Sequence, residues 1–384
     1  MSPLSLSPSS ASSKGKKSSI WDIHKKQKQR AIEKKSQKKH IPLADLAIFA
    51  QQLASMLEAG LPLVNAMGAL EEQMENLFLK AIIRDVRSDV ASGNTLSKAL
   101  KKYPNAFPRL FVSMVEAGEA SGTLGEIMGK IAVYIQETVN LNKKVKGALT
   151  YPVVVIGLAL SLIVVLMIFV IPVFSQMFAD FGSELPGPTL FLIGISNFLK
   201  ANIIFILIGA AGAFYFIRRF FRTPQGRVFK DKLIQMLPIV GALSKKINLS
   251  RFCRTYSILL KSGVPVLQSL EICASISNNT YIEGACRNFA KQVSSGGQLS
   301  DAIAEASYFP SLVGHMSKAG EQSGNIDDMM NKIADFYDIE VNSTIDSLSS
   351  LIEPFLITTL GIIIGGIVMA MFLPIFKLSS LVAQ

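Results

Sequence analysis

Residues 153–173 read VVVIGLALSLIVVLMIFVIPV, and most of them are Val, Ile, Leu, Met or Phe. They form the centre of a longer stretch, from position 147 to position 179, that contains no charged side chain. A transmembrane α-helix needs about 20 consecutive apolar residues, so this stretch is long enough to cross a bilayer. The 384-residue chain is 49% apolar and only 17% charged, which also indicates a membrane protein.

Two further uncharged windows extend this interpretation. They are residues 201–217, which form the shorter window, and residues 354–376. The shorter window is at the lower limit for a span, but it lengthens if Lys200 extends its ammonium group to the interface. We therefore predict three transmembrane helices. None has an ionisable residue at bilayer depth, which disfavours an ion or solute carrier.

Basic residues beside the spans predict their orientation, because Lys and Arg collect on the cytoplasmic side. Those before the first span are Lys143, Lys144 and Lys146, and those after the second are Arg218, Arg219 and Arg222. The segment between these two spans carries only Asp180 and Glu184. We expect a cytoplasmic N-terminus, cytoplasmic polar regions and an extracytoplasmic C-terminus.

The net charge of +11 is concentrated in residues 1–40, which hold eleven Lys and Arg residues against Asp22 and Glu33. With few apolar residues to bury, this tail is expected to be disordered and to contact anionic lipid headgroups. Nucleic-acid binding is the weaker interpretation, because Trp21 is the only aromatic residue there. We expect no secretory signal peptide, since no apolar core follows the positive charges.

The chain also contains a long internal repeat. Two segments, 59–62 (AGLP) and 92–97, align with 262–265 (SGVP) and 295–300 at an offset of 203. At an offset of 202, residues 107–108, 117–122 and 151–152 align with 309–310, 319–324 and 353–354. The repeated unit is a cytoplasmic domain of roughly 100 residues followed by a transmembrane helix.

Each cytoplasmic copy is predicted to be a bundle of about six helices. Leu43, Leu46, Ala50, Leu53 and Leu57 follow the three-and-four spacing of an amphipathic helix. Glycines and prolines divide the rest of the first copy into further helices at Gly60, Pro62, Gly93, Pro104 and Gly122. The last helix of each copy is long and carries a heptad-like apolar stripe. In the first copy it comprises Leu124, Ile127, Ile131, Tyr134, Thr138, Leu141 and Val145, and in the second it begins Ile326, Met329, Ile333 and Phe336.

The predicted fold class is therefore all-α, in a polytopic membrane protein with two homologous cytoplasmic domains. The segments, in chain order, are a basic tail at 1–40, a first cytoplasmic domain at 41–147, a first span at 148–174, an extracytoplasmic segment at 175–199, a second span at 200–217, a second cytoplasmic domain at 218–350, a third span at 351–376 and an extracytoplasmic C-terminus at 377–384.

The most informative short motif, Ala-Gly-Glu-x-Ser-Gly, occurs at 117–122 and again at 319–324. Its candidate site residues are Gly118, Glu119, Ser121 and Gly122 in the first copy and Gly320, Glu321, Ser323 and Gly324 in the second. The favoured interpretation is structural: the glycines permit a tight turn or close approach, the serine caps the following helix, and the glutamate lies near that helix's N-terminus. The alternative is an exposed carboxylate that docks a partner.

No pattern in the sequence predicts catalysis, a cofactor or a metal. The chain lacks G-x-x-x-x-G-K-[ST], G-x-G-x-x-G and G-x-S-x-G motifs. Its three histidines are scattered, and Cys253, Cys273 and Cys286 match neither a disulfide framework nor a zinc site, so we expect reduced thiols. We expect no enzymatic activity.

Three further pairs are interpreted as structural. Tyr151-Pro152 and Glu353-Pro354 are expected to mark where an amphipathic helix ends and a span begins, with proline in the first turn. Gly361 and Gly365 allow close helix packing in the third span, with specific dimerisation as the alternative.

The chain resembles the inner-membrane platform proteins of type II secretion and type IV pilus assembly, the GspF/PilC family. The resemblance extends from residue 43 to residue 376, which is most of the chain. It is carried by the duplicated layout, FAQQLASMLEAGLP at 49–62, both Ala-Gly-Glu-x-Ser-Gly elements, KVKGALTYP at 144–152, Ile171-Pro172 and LIEP at 351–354.

The resemblance implies a non-enzymatic platform in the bacterial inner membrane that couples a cytoplasmic secretion ATPase to the assembly of pilin or pseudopilin subunits. It also implies contacts with other inner-membrane assembly proteins and a homo-oligomer, and no binding of nucleic acid. Two alternatives stay open: an uncharacterised membrane-bound enzyme, and a membrane tether that binds nucleic acid through the basic tail.

Overall fold

The computed structural model describes residues 41–180 and 187–382, and every regular element in these two ranges is helical. The all-α prediction is confirmed for this part of the chain. The predicted disordered tail at 1–40 lies outside the described residues, as do the last two residues of the predicted C-terminal segment.

The helices follow one another with short connections. In chain order they are α1 (Leu43–Glu58), α2 (Leu63–Gln73), α3 (Leu77–Ala91), α4 (Leu96–Lys101), α5 (Arg109–Ser121), α6 (Leu124–Val165), a π-helical turn (Leu166–Val170), α7 (Ile171–Asp180), α8 (Gly187–Phe220), α9 (Pro224–Met236), α10 (Pro238–Lys261), α11 (Val266–Ile276), α12 (Thr280–Ser294), α13 (Leu299–Glu305), α14 (Ser311–Ser323) and α15 (Ile326–Val382).

Three pairs of helices at equivalent places in the repeat have equal lengths. Both α2 and α11 have 11 residues, α3 and α12 have 15, and α5 and α14 have 13. Their caps repeat as well: the Asn76 side chain accepts hydrogen bonds from the backbone N–H groups at the start of α3, and Asn279 does the same for α12. An asparagine cap satisfies donors that have no partner within the helix, so it fixes where each helix begins.

The chain divides into two compact units, with the boundary between Ala132 and Val133 inside α6. The domain limits predicted from the sequence stay predictions. In the first unit, the core contains the rings of Phe49, Phe107 and Phe111, whose successive centroids lie 6.2 and 5.2 Å apart. These rings are at most 2% exposed, so their burial is a main source of stability, at roughly 2 kcal/mol for each.

In the second unit, Phe252 of α10 lies at the centre of an aromatic core. Its ring stacks on Tyr256 at 5.8 Å and meets Phe309 edge-on at 5.3 Å. The three cysteines are free, as expected from the sequence, and all three are buried. Burial raises the pKa of the Cys286 thiol to about 12, so this side chain is an unreactive part of the core.

Within the described residues, three helices are long and apolar enough to cross a membrane: Leu124–Phe174, Gly187–Phe220 and Ile326–Leu373. The number of predicted spans is thus confirmed, but the helices are much longer than the spans. The helix that contains the second predicted span begins at Gly187 rather than at residue 200. Its first turns belong to the segment that was predicted to be a short connection.

The predicted ends of helices at the two X-Pro junctions are wrong. Pro152 lies inside α6, and Pro354 lies inside α15, so neither amphipathic helix ends where its span begins. A proline removes one backbone hydrogen bond and bends a helix without ending it, provided that the remaining backbone groups stay bonded. In a membrane the helix is the conformation that keeps them bonded.

The three long helices pack together around a small cluster formed by Met167, Ile171 and Ile367. Two hydroxyl groups reinforce the packing. Thr189 of α8 donates to the carbonyl oxygen of Ala370 at 2.6 Å, and Ser196 of α8 donates to the carbonyl oxygen of Met167 in the π-helical turn. Such bonds between membrane helices contribute about 1 kcal/mol each and fix the register of the helices.

Candidate functional site

The glutamate of the repeated motif binds the start of a neighbouring short helix. In the first unit, the Glu119 carboxylate accepts hydrogen bonds from the backbone N–H groups of Leu96 and Ser97, the first two residues of α4. In the second unit, Glu321 accepts from Leu299 at 2.7 Å and from Ser300 at 3.0 Å, at the start of α13. A carboxylate at a helix N-terminus satisfies free donors and interacts favourably with the helix dipole.

This arrangement corrects two details predicted from the sequence. The glutamates bind the N-termini of α4 and α13, which precede the motif, rather than those of the helices that follow it. The Ser121 and Ser323 hydroxyls donate back to the carbonyl oxygens of Ala117 and Ala319 in their own helices. Each hydroxyl therefore bonds within the last turn of its own helix and does not cap the helix that follows.

The two glycines of the motif have different functions. A Cβ atom on Gly118 would lie 3.0 Å from the Ile127 side chain, and one on Gly320 would lie 2.8 Å from the Ile326 backbone. These glycines allow the last helix of each repeat to approach closely. Gly122 and Gly324 have φ of +73° and +71°, a left-handed conformation that ends the helix. The geometry favours the structural interpretation of the motif, and docking of a partner stays a prediction.

A polar network in the second unit joins the long helices α6, α10 and α15. At its centre is Arg254 of α10, whose side chain is only 12% exposed. Its guanidinium lies 2.7 Å from Asp335 and 2.6 Å from Asp338, both on α15, and 3.3 Å from Glu137 on α6. One guanidinium therefore connects the polar segments that precede the first and third predicted spans.

Further polar contacts extend this network along the helices. They are Arg251 to Asn142 at 2.7 Å, Lys144 to Asn342 at 3.1 Å, Lys246 to Glu340 at 2.8 Å and Tyr134 to Thr255 at 3.2 Å. The Lys144 contact joins α6 directly to α15, and the Lys246 contact joins α10 to α15. We refer to these residues, together with Arg254, Glu137, Asp335 and Asp338, as the polar clamp.

At its centre the clamp places one guanidinium among three carboxylates. Burial lowers the pKa of Arg254, but the hydrogen bonds to Asp338 and Asp335 outweigh this effect, so the pKa is raised and the guanidinium stays charged. Because the three carboxylates are 35 to 56% exposed, water screens part of the attraction. The arrangement orients helices and offers no nucleophile paired with a base.

The clamp was not predicted from the sequence, although the polar residues of α15 have a spacing that indicates it. Its residues 331, 335, 338 and 342 are Asn, Asp, Asp and Asn, spaced by four, three and four. This spacing places them on one face of the helix. On α6 the same spacing was interpreted as an apolar stripe through Tyr134 and Thr138, whereas the buried apolar side chains there are Ile135 and Val139.

The remaining predicted site residues lie apart from the clamp. Tyr151 and Glu353 are exposed on the continuous helices α6 and α15. Cβ atoms on Gly361 and Gly365 would meet nothing within 4 Å, so no described residue packs against this face, and its part in dimerisation stays a prediction. In the part of the chain that the structure describes, no three His, Cys, Asp or Glu side chains are grouped to hold a metal ion.

Comparison with protein families gives a match on both halves of the chain. The family model described as type II secretion system (T2SS), protein F matches residues 49–172 and residues 252–374. The starts and the ends of the two matched ranges are offset by the same amounts as the two parts of the internal repeat. Each half of the duplication is therefore one copy of the family's domain.

Individual proteins are similar over most of their length. The type IV pilus assembly protein PilC of Myxococcus xanthus is 39% identical over 336 residues, covering 88% of this chain and 81% of that protein. PilC of Thermus thermophilus is 40% identical over 337 residues, covering 88% and 83%. The type II secretion system protein F of Vibrio cholerae is 32% identical over 347 residues, covering 90% and 86%.

Proposed function

This chain belongs to the type II secretion system protein F family, and from that premise we propose that it is a non-enzymatic platform for assembling pilin-like subunits. Its three apolar helices and its relatives in pilus and secretion systems indicate an inner-membrane protein. The proposed partners are a cytoplasmic ATPase, pilin or pseudopilin subunits, other inner-membrane assembly proteins and further copies of the chain.

The observation that carries this proposal is the continuity of two helices. Both α6 and α15 extend from amphipathic segments into apolar segments without a break, over 42 and 57 residues. A continuous helix transmits a displacement at one end to the other, because its backbone hydrogen bonds resist bending. The polar clamp joins the amphipathic segments of α6 and α15 through Arg254, so we expect the two helices to move together.

We infer that α6 and α15 are levers that connect ATPase-facing loops to the membrane spans. A helix break tests this, provided that it does not disturb the core. Ile131 and Ile333 are unsuitable positions because they are at most 1% exposed. Lys146 and Ser347 are exposed on α6 and α15, so proline there removes a helix hydrogen bond and bends the helix without leaving a cavity.

We expect Lys146→Pro and Ser347→Pro each to abolish filament assembly, since proline inside a helix costs roughly 3 kcal/mol and bends it. The matched controls Lys146→Ala and Ser347→Ala should assemble filaments at the level of the parent protein. Filaments are counted by electron microscopy, and membrane insertion is checked by fractionation. Normal assembly by the proline variants would refute the levers, and equal loss in the alanine variants would indicate contacts of these side chains instead.

The partner assignment is tested by purifying the tagged full chain from its native membrane in mild detergent. We expect mass spectrometry to identify a secretion ATPase and pilin-like proteins in the purified material. The pilins present distinguish a pilus from a secretion system. Recovery of DNA, or of a metabolic enzyme without either component, would contradict the platform function.

A further inference from the structure

Helix α9 begins immediately after the second span. Helix α8 ends at Phe220, and α9 begins at Pro224, so the connection between them is very short. The Thr223 hydroxyl accepts a hydrogen bond from the Gly226 backbone N–H at 3.0 Å, which caps α9 at this point. Since a connection of this length spans about 10 Å at most, α9 must begin at the level where the span leaves the bilayer.

One face of α9 is apolar and uncovered. Val228, Phe229, Leu233 and Met236 are 47 to 68% exposed, and the apolar surface continues through Leu237, Ile239 and Val240 at 45 to 48%. The Phe229 ring lies 6.2 Å from the ring of Phe220, the last residue of α8. This face is therefore continuous with the exposed apolar surface of the second span.

The charges around this face have one sign. Arg218, Arg219, Arg222 and Lys232 are exposed. Asp231 is the only acidic residue between positions 218 and 240, and it is 5% exposed. Its carboxylate accepts hydrogen bonds from the Thr280 backbone N–H at 2.8 Å and from the Thr280 hydroxyl at 2.9 Å, so it points into the bundle. The surface of α9 thus combines apolar side chains with uncompensated positive charge.

We propose that α9 lies in the plane of the membrane and binds anionic phospholipid headgroups. Its apolar face enters the boundary between headgroups and acyl chains, and the four exposed basic side chains contact lipid phosphates. Such pairing of an apolar face with Lys and Arg is typical of interfacial helices. Through Asp231 and Thr280, α9 also holds the start of α12, and with it the second bundle, close to the membrane surface. This binding goes beyond the proposed platform function and does not depend on its partners.

The test uses tryptophan fluorescence in the full chain, whose only tryptophan is Trp21. On a Trp21→Phe background, Phe229→Trp places the probe on α9. Phe205→Trp, at a 74% exposed position in the second span, is the membrane control. Phe336→Trp is the aqueous control, because this 44% exposed residue lies 15 positions before the predicted third span, roughly 22 Å along the helix. Each variant is reconstituted into vesicles with brominated phosphatidylglycerol or brominated phosphatidylcholine.

We expect brominated lipid to quench Phe229→Trp and Phe205→Trp at least about twofold more than Phe336→Trp, and iodide in water to quench only Phe336→Trp strongly. Quenching of Phe229→Trp should be about twofold stronger with phosphatidylglycerol, and Arg222→Gln with Lys232→Gln should reduce that difference, because two of the four basic side chains are then lost. If Phe229→Trp behaves like Phe336→Trp, the proposal is wrong. Protection from both quenchers would assign the face to a protein, either a second copy or a partner, and equal quenching by the two lipids would refute the headgroup contact.

Discussion

Ser97 and Ser300 occupy the same place in the two copies of the repeat, but their side chains differ in hydrogen bonding. Ser97 donates its hydroxyl to Glu119, the glutamate that also binds the start of α4. Ser300 is 2% exposed, and among the described residues its buried hydroxyl oxygen has no hydrogen-bond partner. An unpaired buried hydroxyl destabilises the folded state, whereas a paired one contributes about 1 kcal/mol.

We therefore expect different effects on stability from the same substitution at the two positions. Ser97→Ala should lower the free energy of unfolding by about 1 kcal/mol, and Ser300→Ala should leave it unchanged or raise it by up to about 1 kcal/mol. Thermal unfolding in detergent, followed by circular dichroism, measures both. Equal destabilisation by the two variants would mean that Ser300 has a partner after all.

The hydrogen-bond partners of single residues were the features least predictable from the sequence. The paired motif identified Glu119 and Glu321, because both recur within a longer repeated segment of the chain. The helix that each glutamate binds was not predictable, since it depends on how α4 and α5 fold back on each other. The helix caps Asn76 and Asn279 were not predicted, because a single asparagine in a polar turn belongs to no periodic pattern.

At the scale of elements, the polar clamp determines how the long helices are held. Arg254 is far along the chain from both Glu137 and Asp338, so local sequence patterns do not reveal these pairs. Apolar stripes, in contrast, are local patterns that the sequence does reveal, and the stripe of α1 was predicted over most of its length. The prolines show a third case, in which a local rule for soluble helices fails because α6 and α15 continue into a membrane.

Loss of the central guanidinium should loosen this junction. We expect Arg254→Ala to lower the free energy of unfolding by about 2 kcal/mol, because it leaves three carboxylates facing one another at a partly buried site. Hydrogen exchange should increase in residues 331–342 of α15. The control is Arg287→Ala, which removes an i,i+4 pair whose arginine is 70% exposed and should cost less than about 0.5 kcal/mol. Equal effects of the two substitutions would show that the clamp does not hold α15.

At the scale of the whole molecule, the sequence predicted the duplication, the helical class and the number of spans. These features depend on composition and on periods that repeat over many residues, so they are insensitive to any one contact. The start of α8 at Gly187 was not predicted, because the charge of Lys200 limited the uncharged window and the segment before it was interpreted as a connection. Ser196 instead donates to the Met167 carbonyl oxygen, so its polarity is satisfied within the packed helices.

The packing of the spans gives their relative directions, and the predicted topology then assigns each contact to one side of the membrane. Thr189, near the start of α8, bonds to Ala370, near the end of the third span, and Ser196 bonds to Met167, in the later part of the first span. If the first span leaves the cytoplasm and the second returns to it, these four residues belong to the same, extracytoplasmic half of the membrane. The third span must then run outward, as the first does.

This topology predicts opposite labelling of two engineered cysteines, because the native cysteines are buried. In intact cells with a permeabilised outer membrane, a membrane-impermeant maleimide should label Gln384→Cys at the C-terminus. Asp301→Cys, at an exposed position on α13, should be labelled only after the inner membrane is opened. The parent chain, with its three buried thiols, provides the background signal. The reverse pattern would place the bundle outside, and labelling of both positions in intact cells would show that the third span does not cross the membrane as predicted.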